Sequence, residues 1–353
     1  MKIVKPEAHI IQKKGLTPYQ FIEKVGRTCY KSEDKITEDS AVKFVQGLCN
    51  RKHYAMVEHY WVHLKYTGLY EDLVKGLDMF ARVTCALFGD SYDLMKFVQV
   101  TRTYNTYISA PLRVFFNMIT AMGACDLNTD PIHHLVDEML SCVVNAFPEI
   151  FQSKAFSYRI TRHFKIMEED DFCNDLHLSM VEDYCDEYFR TQELMKHKTH
   201  TVHFVCDRGV SHELVRHRPC SFAQESTRYC NYSHDKFGEE ITVILPLFFD
   251  TGMGTSSNSI VYEAWKYSCE VAERKYFELL NYGAKPQEAR SVLPNSLKTE
   301  IIVTANETEW QHIINLRYLG TTGAPHPQMK EVMSLVVGDL NVESEGRLKY
   351  EAN

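Results

Sequence analysis

The chain has 353 residues, 44% hydrophobic and 24% charged, a globular composition with enough length for a substantial core. That excludes a disordered or collagen-like chain. The formal net charge of −8 at pH 7 argues against broad nucleic-acid binding, yet leaves room for a local basic pocket around one phosphorylated small molecule.

Residues 2–12 carry short apolar runs around Pro6 and predict an edge strand. The N-terminal MKIVKPEAHIIQKKG has no apolar signal core, and no apolar run approaches the ~20 residues of a bilayer span, so no membrane partner is expected. The 11 cysteines are odd in number and show no CxxC spacing. They read as reduced thiols of a cytoplasmic protein rather than zinc ligands or disulfides. Thr17-Pro18 opens a helix through about Cys29, with Pro18 at its first position. His53–Leu64 alternates loosely and predicts a strand. Residues 68–198 hold apolar side chains at helical spacing, among them Leu73, Leu77, Phe80 and Val83, and are expected to be mostly helical.

THTVHFVCD (199–207) reads as a strand. Ser211 can cap a short helix that Pro219 ends. ITVILP (241–246) is a further strand, and 258–281 a long helix with Gly283 just beyond it. A short helix starts at Lys285-Pro286 and stops before Pro294. EIIVTA (300–305) predicts a strand. Asn306 caps the next helix with Glu309 three residues on, a capping-box pattern. Gly320 ends that helix and Pro327 begins another.

The densest cluster of chemistry is Arg216-His217-Arg218, followed by Ser221, Gln224, Ser226 and Arg228. Guanidinium groups clamp phosphate through two charge-assisted hydrogen bonds, and the neighbouring hydroxyls complete a phosphate cradle. The same cations could instead merely offset a helix end, and spacing alone leaves the two readings even. Arg290 and Arg317, each taken alone, read as solvated or salt-bridged residues. His53, Glu58 and His59 offer two imidazoles and a carboxylate, but no HExxH-like spacing supplies further ligands, so no metal is expected.

RHRPCSFAQESTRY (216–229) resembles the signature of the flavin-dependent thymidylate synthase family: Arg-His-Arg, seven residues, then Ser, here Arg216, His217, Arg218 and Ser226. Further pieces resemble that family in order: GRTCYKS (26–32), HYAMVEH (53–59), VSHELVRHR (210–218), ARSVLPNSLKTEIIVTAN (289–306) and NLRYLGTTGAPHPQMKEV (315–332). The resemblance divides the chain into a core of 1–66 with 199–345, a largely helical insertion at 67–198, and a tail at 346–353. It implies an α+β fold, a twisted and mainly antiparallel sheet flanked by helices. It also implies a homotetramer with active sites shared between subunits.

The implied reaction is reductive methylation of dUMP to dTMP. Methylenetetrahydrofolate donates the carbon and FAD, reduced by NADPH, the hydride. Carried over residue by residue, the resemblance assigns FAD contacts to His53, Arg216, His217, Arg218, Gln224, Asn306, Glu307, Thr308 and His312. It assigns dUMP contacts to Glu213, Arg216, Ser226, Thr227, Arg228, Arg290 and Arg317. Arg317 is the implied catalytic residue, stabilising negative charge on the activated uracil. Glu213 stands where glutamine is expected and Gln224 where glutamate is expected, which can be a compensating exchange. Ala55 replaces a hydroxyl residue. Two rivals remain: a thymidylate synthase using Cys220 as nucleophile, and a non-catalytic nucleotide- or RNA-binding module.

Overall fold

The structure is a computed structural model describing residues 1–78, 94–122, 131–151, 161–228, 230–233, 238–249 and 256–351. Phe80 and Val83 lie outside the described residues, as does Tyr229 of the signature segment. Strands β1 (Lys2–Val4) and β2 (Glu7–Ile10) flank Pro6. Helix α1 (Pro18–Tyr30) begins on a capping box between Thr17 and Gln20, with Pro18 pre-set for the first turn. It packs against α2 (Ser40–Asn50).

The strand expected over His53–Leu64 starts later, as β3 (Trp61–Tyr66). Residues 53–60 instead form turns, including a 3-10 turn at Val57–His59, because Glu58 and His59 reach out to other elements. Segment 67–198 contains the expected helices: α3 (70–78), then, interleaved with strands, α4 (Leu112–Met122), α5 (Pro131–Ala146), α6 (Glu169–Glu182) and α7 (Glu187–His197). The interleaved strands are β4 (Gln99–Arg102), β5 (Thr106–Pro111) and β6 (Phe164–Met167).

Downstream come β7 (Thr199–Asp207), α8 (Arg208–Leu214), β8 (Ser221–Gln224) and β9 (Thr242–Ile244). They are followed by α9 (Ser256–Asn281), α10 (Pro286–Ala289), β10 (Lys298–Asn306) and α11 (Glu307–Ile314). Helix α11 runs into a π-helical turn at Asn315–Leu319. Helices α12 (Pro327–Ser334) and α13 (Val337–Glu343) follow. Ser211 is not a cap. Asp207 accepts the Val210 N–H at 2.8 Å and starts α8, while the Ser211 hydroxyl donates to the Arg208 carbonyl within the helix.

The fold is α+β and mainly antiparallel, with two four-stranded sheets where one was expected. One sheet has the order β2-β7-β10-β8, and β7 and β10 pair over nine residues from Lys298–Asp207 to Asn306–Thr199. The other has the order β4-β5-β3-β6. Strands β1 and β9 form a parallel pair.

Strand β10 joins the two halves of the core because successive side chains point to opposite faces. Ile302 packs with Phe21, Leu48 and Ile108 beneath α1 and α2. Ile301 and Val303 pack with Phe204, Trp310 and Met333 beneath α11 and α12. The segment beyond α13 also docks: Leu348 is buried, and the Lys349 carbonyl accepts from Gln311 at 2.8 Å.

Candidate active site

The connection from α8 to β8 carries Arg216, His217 and Arg218. His217 is buried, while both arginines are exposed and have no acidic partner among the described residues. His217 Nδ1 lies 3.2 Å from Glu309 Oε1, and its Nε2 lies 3.2 Å from Arg317 Nε. Arginine only donates, so Nε2 accepts from Arg317 and the ring proton sits on Nδ1, directed at Glu309. Arg317 NH1 donates to Glu213 Oε2 at 2.7 Å, and NH2 donates to the Glu213 carbonyl at 3.2 Å.

Among the described residues, three of the guanidinium's five N–H groups are thus engaged, leaving two in the same plane for a ligand. Arg317 sits in the π-helical turn, which ends on Gly320 at φ 73°. The Gly320 N–H donates to the Asn315 carbonyl, so the helix end is capped without Arg317.

Asn306 caps α11 as expected, its side chain accepting the Glu309 N–H at 3.0 Å. The other half of the expected box is absent from this arrangement: the Glu309 carboxylate turns to His217, and Asn306 Nδ2 donates to the Lys196 carbonyl at 2.9 Å. His312 is exposed and meets His217 edge to face with ring centroids 5.6 Å apart. His217, Glu309 and His312 offer atoms within 4.8 Å of one another, as metal ligands do. Both nitrogens of His217 are already engaged, however, and the adjacent guanidinium repels a cation. The chemistry of this cluster suits an anionic ligand.

A second group forms where β8 meets the end of α1. Arg290 NH1 donates to the buried Thr227 Oγ1 at 3.0 Å. The Ser226 N–H donates to the Cys29 carbonyl at 3.2 Å, and Ser226 Oγ accepts the Arg228 N–H at 3.4 Å. Arg228 and Arg290 are exposed. Strand β8 lies between the two groups, and its ends stand roughly 10 Å apart.

Other expected contacts are engaged elsewhere. The Gln224 amide donates to Ser211 Oγ at 2.9 Å and Thr299 Oγ1 at 3.2 Å, and no contact links it to Glu213. Glu307 is fully buried, receiving Arg347 at 2.7 and 2.9 Å and facing His200 Nε2 at 2.8 Å. Thr308 is exposed beside it. His53 is exposed, 2.8 Å from the Tyr30 hydroxyl, and touches neither group among the described residues.

The trio His53, Glu58 and His59 does not converge. Glu58 pairs with Arg113 at 2.6 Å, and His59 is buried against Thr304 at 2.7 Å. Cys220 is buried, and burial pushes its thiol well above the usual range, so it stays protonated. Sequence reading used Glu309 only as a capping residue. Its role in orienting His217 was signalled by nothing except its place one turn from His312.

A family model described as "Thymidylate synthase complementing protein" matches residues 152–337, beginning inside the 67–198 segment. The flavin-dependent thymidylate synthase of Pyrococcus furiosus is 32% identical over 158 residues, 44% of this chain and 59% of that protein. That of Geobacter sulfurreducens is 34% identical over 127 residues, 36% of this chain and 50% of that protein. The chain therefore spans between half and three fifths of the length of these relatives. A solved UMP/dUMP methylase, PolB from Streptomyces cacaoi bound with 5-Br UMP, is 20% identical with a TM-score of 0.38, covering 50% of this chain and 85% of that one.

Proposed function

This chain belongs to the flavin-dependent thymidylate synthase family, and from that membership we propose that it methylates dUMP to dTMP, taking the carbon from methylenetetrahydrofolate and the hydride from FAD reduced by NADPH. The observation that carries this reading is Arg317, held at three points by His217 and Glu213 with two in-plane donors to spare. Uracil becomes nucleophilic at carbon 5 when negative charge on its ring edge is stabilised. A guanidinium already fixed in position does so without reorganising, and removing such a donor typically costs roughly 10²–10³ in rate. Glu309 and His217 act as positioning residues for it. The protonated Cys220 leaves the cysteine-nucleophile reading without support.

The residues present fit a flavin dinucleotide. Arg216 and Arg218 offer exposed guanidinium groups for its diphosphate, and His312 presents a polar ring edge. FAD, when bound, supplies the hydride, while the protein fixes alignment. Ser226, Thr227, Arg228 and Arg290 would hold the dUMP phosphate. Asn306 and Glu307 act behind the site, through Glu309 and Arg347. The two groups lie at opposite ends of β8, which favours a homotetramer in which one subunit's phosphate group completes another's Arg317 group. A cytoplasmic setting suits these substrates, and no helix among the described residues is long and apolar enough to cross a membrane.

The test is direct. Purified protein should show flavin absorbance and form dTMP from dUMP, methylenetetrahydrofolate and NADPH. A flavin-loaded protein that yields no dTMP would contradict the proposal.

A further inference from the structure

Helices α1 and α2 enclose an open groove of about 770 Å³ that belongs to neither group. Arg27, Lys35, Lys43, Arg51 and His53 line it, and no aspartate or glutamate does, in a chain whose net charge is −8. Arg27 is neutralised by Glu23 at 2.8 Å and lies over the Phe44 ring at 4.3 Å. Lys35, Lys43 and Arg51 are exposed and have no acidic partner among the described residues. Lys43, Gly47 and Arg51 follow one another at four-residue spacing, on one face of the helix and its C-terminal end. Their first and last Cα atoms are about 12 Å apart. The Arg51 guanidinium folds back over Gly47, 3.6 Å from where a Cβ there would stand. His53, an implied flavin contact, closes one end of the groove with Tyr30.

We propose that this groove is a polycarboxylate subsite that takes the γ-linked glutamate tail of the folate co-substrate. The inference rests on the reading of the chain as a methylenetetrahydrofolate-dependent methylase. One phosphate calls for cations converging on a point. Here they are strung along two helical turns, which matches a flexible chain bearing a carboxylate on each unit. The groove is open to solvent, so attraction is strong at low ionic strength and screened by salt.

The flavin-loaded full chain is titrated with methylenetetrahydrofolate carrying one or three glutamates, read by calorimetry at low and high salt. The triglutamate should bind about 10-fold tighter at low salt, as expected for several exposed ion pairs together, and the difference should collapse at high salt. In the Lys43→Ala/Arg51→Ala double variant both tails should bind alike, with monoglutamate affinity unchanged. Equal affinities in the wild type, or a tail preference that the double variant retains, would overturn the proposal. So would a double variant that loses only discrimination of NADPH from NADH, which would assign the groove to a ribose phosphate. Binding of both folates alike defeats this inference alone, whereas binding of neither defeats the functional reading beneath it.

Discussion

The Arg317 guanidinium and the Glu213 carboxylate form a 2.7 Å ion pair, with Arg317 19% and Glu213 23% exposed. The pair therefore lies where a substrate could meet it. Glu213 occupies the position where the family resemblance leads one to expect glutamine. Both residue types offer an oxygen to Arg317, so acceptor geometry rather than charge should matter most. Glu213→Gln should keep turnover within a few-fold of wild type. Glu213→Ala should lower kcat by about 10-fold or more while costing only about 0.5–1 kcal/mol of stability, since the pair is partly solvated. Steady-state kinetics beside thermal melts check this, and equal damage from both variants would contradict it.

Cys220 should be dispensable. Its thiol is buried and held protonated, and it packs in the core beneath α11 and α12. Cys220→Ala should retain most dTMP formation and lose roughly 1 kcal/mol of stability from the small cavity. Complete loss of turnover with fold and flavin intact would restore the cysteine nucleophile.

The docking of Arg347, beyond α13, should matter for stability. Glu307 is fully buried, and Arg347 supplies two of its partners' hydrogen bonds from beyond α13. Arg347→Ala leaves that buried carboxylate with His200 as its remaining side-chain partner among the described residues and should cost about 3 kcal/mol in denaturant unfolding. An unchanged midpoint would show that the pair contributes nothing.

Stability should fall in mild acid. Burial lowers the His59 pKa to about 3 and holds His197 well below its ordinary value. His197 is enclosed by Ser109 and Thr101, each at 2.8 Å. Both rings are neutral when folded but take up protons near pH 6.5 when unfolded. Their depressed folded pKa values mean that stability is full above that pH and lost as pH falls below it. The loss between pH 7 and 5.5 should reach about 2–3 kcal/mol for the two together. A flat profile from urea titrations over that range would contradict the burial of two neutral imidazoles.

Much of this was legible from residues alone. Strand β7 spans the very residues read as a strand, and Asn306 caps its helix as its residue type suggests. The signature arginines read equally as an anion site or as cations offsetting a helix end, and Arg216 and Arg218 stand exposed without an acidic partner among the described residues. Strands β4, β5 and β6 were hidden because they are four to six residues long, and β5 is buried at every position, so it shows no alternation. Strands β5 and β6 both pair with β3, far away in sequence, although β4 and β5 form a close hairpin. The turn of Glu309 toward His217 was equally hidden, because a capping pattern records backbone needs and not the direction a carboxylate takes once β10 has joined β7. The inward turn of Glu307 depends on Arg347, forty residues on.

Arg317 is the centre of the proposed chemistry, and Arg317→Lys in a single-turnover measurement tests it most directly. Lysine keeps the charge, but it cannot meet His217 and Glu213 together while still presenting a planar pair of donors. A cation serving only the helix end would contribute about 0.3–1 kcal/mol, and lysine would replace it. With flavin still bound and the melting temperature nearly unchanged, reaction of the reduced enzyme with dUMP and methylenetetrahydrofolate should slow by roughly 10²-fold or more. A rate within a few-fold of wild type would remove Arg317 from the mechanism.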